Sequence, residues 1–213
     1  MYDALGGIED AKDLQLLPSL GKTHIPWSRS SVRPSGLRMM LNHMHFCKPQ
    51  RVIEFGSGVS TLFFAKALSE WGGMLLTVDH DKDWVAYIET KILELGISAS
   101  NFQCVHAALA GGWYSYSELS EHIGSSAKFS MAFVDGPPAT PKYLELDRYA
   151  ALPFIRPYLD SEFVIFLDDV DRPGEQHITR KWAEEFTLQY RTHPYIGGIA
   201  ILQPTGDRCY NLF

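Results

Sequence analysis

Between Arg51 and Leu167 the chain repeats one pattern: a short apolar run, a polar turn, then a stretch with helical spacing. The runs are Arg51–Phe55, Met74–Val78, Phe102–His106, Phe129–Val134 and Phe163–Leu167. Continuous apolar runs of this length suit strands covered on both faces. Strands alternating with helices imply βαβ units and a parallel sheet. The intervening helices are expected at Thr61–Trp71, Lys82–Leu95, Lys142–Ile155 and Glu175–Phe186, with a helical turn at Glu118–Ile123. Two last strands, Leu188–Arg191 and Gly198–Gln203, have only a short loop between them and read as an antiparallel edge pair. The expected fold is therefore α/β: a doubly wound, mostly parallel seven-stranded sheet with an antiparallel C-terminal edge strand, in a three-layer αβα sandwich.

Residues 51–213 supply this sheet. Residues 1–50 read as a lid or cap segment followed by one helix. Pro18, Gly21, Pro26, Pro34 and Gly36 punctuate the segment, so its first thirty-odd residues are expected to be irregular. The helix is expected from Ser35 as N-cap, with Leu37, Met40, Leu41 and Met44 on one face.

Other classes are disfavoured by composition. The 19 basic and 25 acidic residues leave a net charge of −6, so a basic nucleic-acid footprint is not expected. Cys47, Cys104 and Cys209 form no CxxC pair, which argues against a zinc knuckle or a disulfide framework. The acidic N-terminus lacks the basic and apolar regions of a signal peptide, and no apolar stretch reaches a membrane span. A cytoplasmic protein acting on a small molecule is the expectation. Its oligomeric state is left open, with a homodimer compatible.

In an open α/β sheet the ligand lies beyond the carboxyl ends of the strands, at the switch point. Here those ends carry Glu54, Asp79, His106, Asp135, Asp168 and Asp169. Gly56 and Gly58 follow the first strand, but Thr61 stands where a dinucleotide fingerprint needs its third glycine. Glu54 would also repel a pyrophosphate and favour a cationic ligand. Asp79, 25 residues later, can accept two hydrogen bonds from a ribose diol. A ligand with both features is S-adenosylmethionine.

The sequence resembles the class I S-adenosylmethionine-dependent methyltransferases. VIEFGSGVST resembles their glycine motif and LLTVDHD their acidic second-strand end. FSMAFVDGPP and VIFLDDVD resemble their fourth and fifth strand ends. The resemblance implies that Glu54, Gly56, Ser57 and Gly58 border the methionine portion of the cofactor. It puts Asp79 on the ribose, His80 beside the adenine, Ala107 or Ala108 near the other adenine edge, and Asp135 at the methyl-transfer site. Asp135, Asp168 and Asp169 further resemble the metal site of catechol-type O-methyltransferases, although an Asp-Asn pair follows the fifth strand there. A divalent cation such as Mg is thus a second expected cofactor, held by those three residues and lowering the pKa of an acceptor hydroxyl. Their structural alternative is capping, or pairing with Arg172 or Arg180.

The implied reaction is in-line methyl transfer to a small-molecule acceptor at oxygen, with Asp135 catalytic. His106, His177 and His193 are further candidate bases. Trp113, Tyr114 and Tyr116 wall an acceptor pocket or pack against the sheet. Two alternatives stand beside this: an NAD-dependent oxidoreductase on a similar fold, and a catalytically inactive S-adenosylmethionine-binding protein.

Overall fold

The structure is a computed structural model, and it describes residues 2–124, 128–138, 146–193 and 198–206, with side chains from residue 6 onward. In chain order the elements are α1 (Tyr2–Leu16), α2 (Pro34–Cys47), β1 (Arg51–Phe55), α3 (Val59–Ser69), β2 (Met74–Asp79), α4 (Lys82–Glu94), β3 (Phe102–His106), β4 (Leu109–Ala110), β5 (Trp113–Tyr114), α5 (Tyr116–His122) and β6 (Phe129–Val134). A 3₁₀ turn at Asp147–Ala150 leads into α6 (Ala151–Ile155), a second 3₁₀ turn (Arg156–Tyr158), β7 (Leu159–Leu167), α7 (Pro173–Phe186), β8 (Leu188–His193) and β9 (Ile199–Pro204). The main sheet has seven strands in the order β3-β2-β1-β6-β7-β9-β8. The first five are parallel, and β9 is antiparallel to both β7 and β8. This is the expected doubly wound sheet, with the order reversing between β1 and β6.

Alternation along each strand divides the core in two. Ile53, Phe55, Val78, Val134 and Ile165 point to one face, where Leu152, Ile155, Ile178 and Trp182 from α6 and α7 cover them. Val52, Leu75, Met131, Phe133 and Phe166 point to the other, covered by Leu37, Met40, Leu62, Phe63, Ile88 and Ile92 from α2, α3 and α4. The same alternation carries Glu54 to the α3 side of the sheet, where it sits opposite Thr77 in the β1–β2 register.

The N-terminal expectation needs correction. Tyr2–Leu16 is a helix, not irregular chain. Gly6, Gly7 and the lack of a clear apolar stripe hide it in the sequence. Partners from α2 supply what the local pattern lacks. Asp10 accepts from Arg33 Nε at 2.8 Å and from the Ser35 backbone at 3.2 Å, and buried Asp13 pairs with Arg38 at 2.7 Å. Ser35 is therefore not the N-cap of α2. Arg33 holds that position with Pro34 at N1, and the Ser35 hydroxyl donates to Asp10 instead.

Two further elements differ. Of the helix expected at Lys142–Ile155, residues 142–145 lie outside the described residues, and the rest is a 3₁₀ turn followed by the five-residue α6. The loop after β3 contains a small hairpin, β4–β5, turned by Gly111 and Gly112, both at positive φ. A Gly-Gly pair supports such a two-residue turn, so this signal was present in the sequence. No helix among the described residues is long and apolar enough to cross a membrane.

At the switch point two turns touch. Gly56 has φ +95°, and a Cβ placed there would lie 2.8 Å from Gly136 N and 2.9 Å from the Asp135 carbonyl carbon. A side chain is thus opposed by backbone strain and by a fixed neighbour. Gly56→Ala should cost about 2–4 kcal/mol in urea unfolding, against well under 1 kcal/mol for an unstrained surface change. Wild-type stability in this variant would mean that the two turns do not meet.

Candidate functional site

The carboxyl ends of β1, β2, β6 and β7 form a rim with one carboxylate-bearing turn after another. Glu54 is fully buried, yet both its oxygens are engaged. Ser60 Oγ donates to Oε1 at 2.6 Å, while Thr61 Oγ1 and Thr77 Oγ1 donate to Oε2 at 2.6 and 2.7 Å. Thr61 Oγ1 also accepts from the Gly58 N–H at 2.7 Å, which closes the start of α3. Burial raises the Glu54 carboxyl to about 7 despite these hydrogen bonds. The carboxylate therefore ties β1, β2 and α3 together beneath the glycine turn, with its side chain withdrawn from solvent.

Asp79 lies above it. Its Oδ2 accepts from Ser57 N and its Oδ1 from Asp81 N, both at 3.0 Å. Asp79 does not cap α4. That position belongs to Asp81, which accepts from the backbone of Asp83 and Trp84. Ser57 Oγ meets Thr77 Oγ1 at 3.0 Å, and Trp84 Nε1 donates to Ser57 O at 2.8 Å. Ser57 is thus fixed on three sides. Gly58 differs from Gly56: a Cβ there would meet nothing within 4 Å. The open side of the turn is at Gly58, and a ligand can approach its backbone closely.

His80 Nδ1 lies 3.1 Å from Asp79 Oδ1, with its side chain about one-third exposed on the rim. Ala107 is buried, and its N–H extends the β2–β3 ladder to Asp79 O. Ala108 is exposed, and its N–H donates to Glu118 Oε2 at 2.7 Å. Trp113 and Tyr114 are buried against Phe55, at ring distances of 5.2 and 6.0 Å, so their packing role is fulfilled. The Tyr114 hydroxyl has no hydrogen-bond partner among the described residues and points at Gly136. Tyr116 is exposed and rests on Phe154.

The ends of β6 and β7 hold a residue that sequence reasoning missed. Arg148, on the 3₁₀ turn, is only 3% exposed. Its Nη2 donates to Asp135 O at 2.6 Å and to Asp135 Oδ1 at 3.3 Å. Nη1 reaches Asp169 Oδ2 at 3.0 Å and Asp168 O at 3.5 Å, and Nε reaches Pro137 O at 3.2 Å. Glu175 Oε1 lies 3.9 Å from Nη1. Arg172 adds a second cation, 2.9 Å from Asp169 Oδ2, as the structural alternative anticipated. Asp169 itself sits at φ +62°, a strained position for a non-glycine residue.

Burial, and then Asp168, raise the Asp135 carboxyl well above its usual range. Burial and then Asp169 raise Asp168. Burial works against the Arg148 charge, but Asp135, Asp169 and Asp168 outweigh it and hold the guanidinium protonated. The divalent cation expected among Asp135, Asp168 and Asp169 meets this guanidinium in the same place. Among the described residues no three His, Cys, Asp or Glu side chains stand close enough together to hold a metal. The donor set does not fit the cation, because its oxygens are already drawn onto a fixed positive charge.

The candidate histidines lie on three separate elements, β3, α7 and β8. His177 is exposed on α7, and His106 Nε2 lies 3.1 Å from His80 O. His193 ends β8, with β9 between it and β7. Burial and then Arg191 lower its pKa. A cavity of about 760 Å³ lies at the opposite end of the sheet, between Arg51, Lys128, Glu162 and Gln203. It has none of the strand-end carboxylates and is not the site.

A family model described as "Methyltransferase domain" matches residues 53–170. None of the curated proteins matches the sequence. Among solved structures, a Bacillus cereus O-methyltransferase in complex with S-adenosylhomocysteine is 16% identical, with TM-score 0.63, covering 95% of this chain and 97% of its own. The Streptomyces achromogenes O-methyltransferase TomG in complex with S-adenosylmethionine is 15% identical, with TM-score 0.61, and the shares are 94% and 99%. An S-adenosylhomocysteine-bound methyltransferase from Podospora anserina is 14% identical, with TM-score 0.63, and the shares are 92% and 88%. At these identities the likeness is one of fold.

The buried Glu54 gives a pH signature. It binds its proton more tightly in the folded protein than in the unfolded chain. Its contribution to stability is complete below the ordinary carboxyl pKa, about 4.5, and is lost as pH rises through about 7. Urea unfolding should show wild type losing on the order of 2–4 kcal/mol relative to Glu54→Gln across that window. A difference that does not change with pH would place Glu54 in a wetter environment than the one described.

Proposed function

The chain belongs to the methyltransferase-domain family and has the fold of class I S-adenosylmethionine-dependent methyltransferases, and from that premise we propose that it transfers a methyl group from S-adenosylmethionine to a small-molecule acceptor, at oxygen. The observation that carries the proposal is the turn between Glu54 and Asp79. It is acidic on both sides, immobilised by hydroxyl and backbone hydrogen bonds, and open at Gly58. An acidic cradle suits an ammonium and sulfonium ligand and disfavours a pyrophosphate.

Ser57 and Gly58 would border the methionine portion, with Gly56 holding the turn against Gly136. Glu54 supports them from below and adds negative potential. Asp79 retains acceptor capacity for a ribose diol beyond the two backbone N–H groups it already serves. His80 and the Ala107–Ala108 backbone flank the adenine side. The cofactor supplies a methyl group on a positively charged sulfur, which an acceptor lone pair displaces in line. The protein's part is to orient the two reactants, exclude water and take the acceptor proton. In this reading Asp135 takes that proton. Its side chain is 15% exposed on the rim, and a raised pKa makes its ionised form a stronger base.

The start of α2 reaches the rim at Arg33, whose side chain lies beside Gly198 and the Asp168–Asp169 turn. A cytoplasmic setting goes with this reading, since Cys47 and Cys104 are free thiols.

Calorimetric titration with S-adenosylhomocysteine tests the proposal. Wild type should bind it, and NAD should give no heat. Asp79→Ala should weaken binding by ~1–3 kcal/mol, the worth of charge-assisted hydrogen bonds. Folded wild type that ignores millimolar S-adenosylhomocysteine, or an Asp79→Ala variant of unchanged affinity, would count against the assignment.

A further inference from the structure

A guanidinium carries five N–H donors. Arg148 directs five contacts at five oxygens: the carbonyls of Asp135, Pro137 and Asp168, and one carboxylate oxygen each of Asp135 and Asp169. These come from the turns after β6 and β7. Carbonyl and carboxylate oxygens are also the ligands a hard divalent cation takes. The residue is held rather than mobile. Its turn is anchored where Trp182 Nε1 donates to Tyr149 O at 2.9 Å, and it lies between four acids, Asp135, Asp168, Asp169 and Glu175.

We propose that Arg148 is a built-in cation that takes the place of a divalent metal at this rim and positions Asp135, so that the protein needs no metal there. A divalent ion would require several of the same oxygens at roughly 2.0–2.6 Å. It would do so against a fixed positive charge on which those oxygens already converge. Arg148 has no donor left for a substrate, so its action is through Asp135 and the two turns. The guanidinium fork spans acceptors on both turns, which a point charge does not. The positioning of Asp135 rests on the methyl-transfer reading. The exchange of metal for guanidinium does not.

The test uses the full chain and Mn²⁺ as the probe. Electron paramagnetic resonance follows the free Mn²⁺ signal, and thermal melts are run with Mn²⁺ or with EDTA. Wild type should leave the signal intact and melt at one temperature in both buffers. Arg148→Ala leaves the four acids with Arg172 as a cation on Asp169 and Glu175 and removes the one that pairs with Asp135. It should attenuate the signal and melt higher with Mn²⁺. Arg148→Lys should restore the wild-type indifference to Mn²⁺. If Arg148→Ala does not fold in either buffer, Arg148→Gln replaces it, with the same expected uptake of Mn²⁺. Two results would overturn the proposal: Mn²⁺ uptake by wild type that Asp168→Asn abolishes, or a folded Arg148 variant, neutral at that position, that ignores Mn²⁺. S-adenosylhomocysteine titration of the same wild-type sample keeps the readings separate, because loss of that binding speaks against the cofactor and not against the cation exchange.

Discussion

A buried carboxylate inside a parallel sheet is tolerable only when its oxygens are met, and this fold is organised around meeting them at Glu54. Three hydroxyls from β2 and α3 do so. Because one of them, Thr61, also fixes the Gly58 N–H, the charge in the sheet and the shape of the glycine turn are one network. Asp79 extends it through Ser57 to the end of β2. Losing any one hydroxyl would leave the carboxylate under-satisfied in a dry environment, which costs more than the hydrogen bond itself contributes. That dependence makes the turn rigid before any ligand arrives, and a rigid cradle loses less ordering entropy on binding.

The second half of the rim solves a similar problem in a different way. Four acids near the ends of β6 and β7 cannot all be ionised side by side without a counter-charge. Arg148 and Arg172 provide it from the chain itself. The strained backbone of Asp169 persists because its carboxylate is held by both cations and its carbonyl accepts from Arg172 N. Gly56 and Gly136, packed backbone to backbone, join the two halves. The acidic cradle and the guanidinium-clamped acids are thus neighbours across the switch point.

Much of this was legible in the sequence. Apolar runs of five or six residues separated by helical spacing set the first five strands of the main sheet and their parallel arrangement, and two closely spaced segments after them set the antiparallel edge. Strand ends marked the rim, since a parallel strand buried on both faces presents polar residues to solvent only where it emerges. Asp135, Asp168 and Asp169 were located correctly along the chain, but their partner was not. Arg148 is 13 residues from Asp135 and 20 from Asp168, on a segment whose pattern reads as an ordinary helix. No periodicity connects a short 3₁₀ turn to the ends of two strands. The helix at Tyr2–Leu16 escaped for the same reason, because Asp10 and Asp13 find their partners on α2.

What the sequence by itself determined is the strands of the main sheet, the acidic rim and the glycine turn, because these follow from local periodicity and from backbone geometry at single positions. What only the tertiary structure decided is how the charges are used. Glu54 could be read as facing a cationic ligand, and the fold buries it under three hydroxyls. The three strand-end aspartates could be read as ligands for a divalent ion, and the fold brings a guanidinium among them. Electrostatic roles depend on distance and burial, and both are set by packing between segments that are remote in the chain.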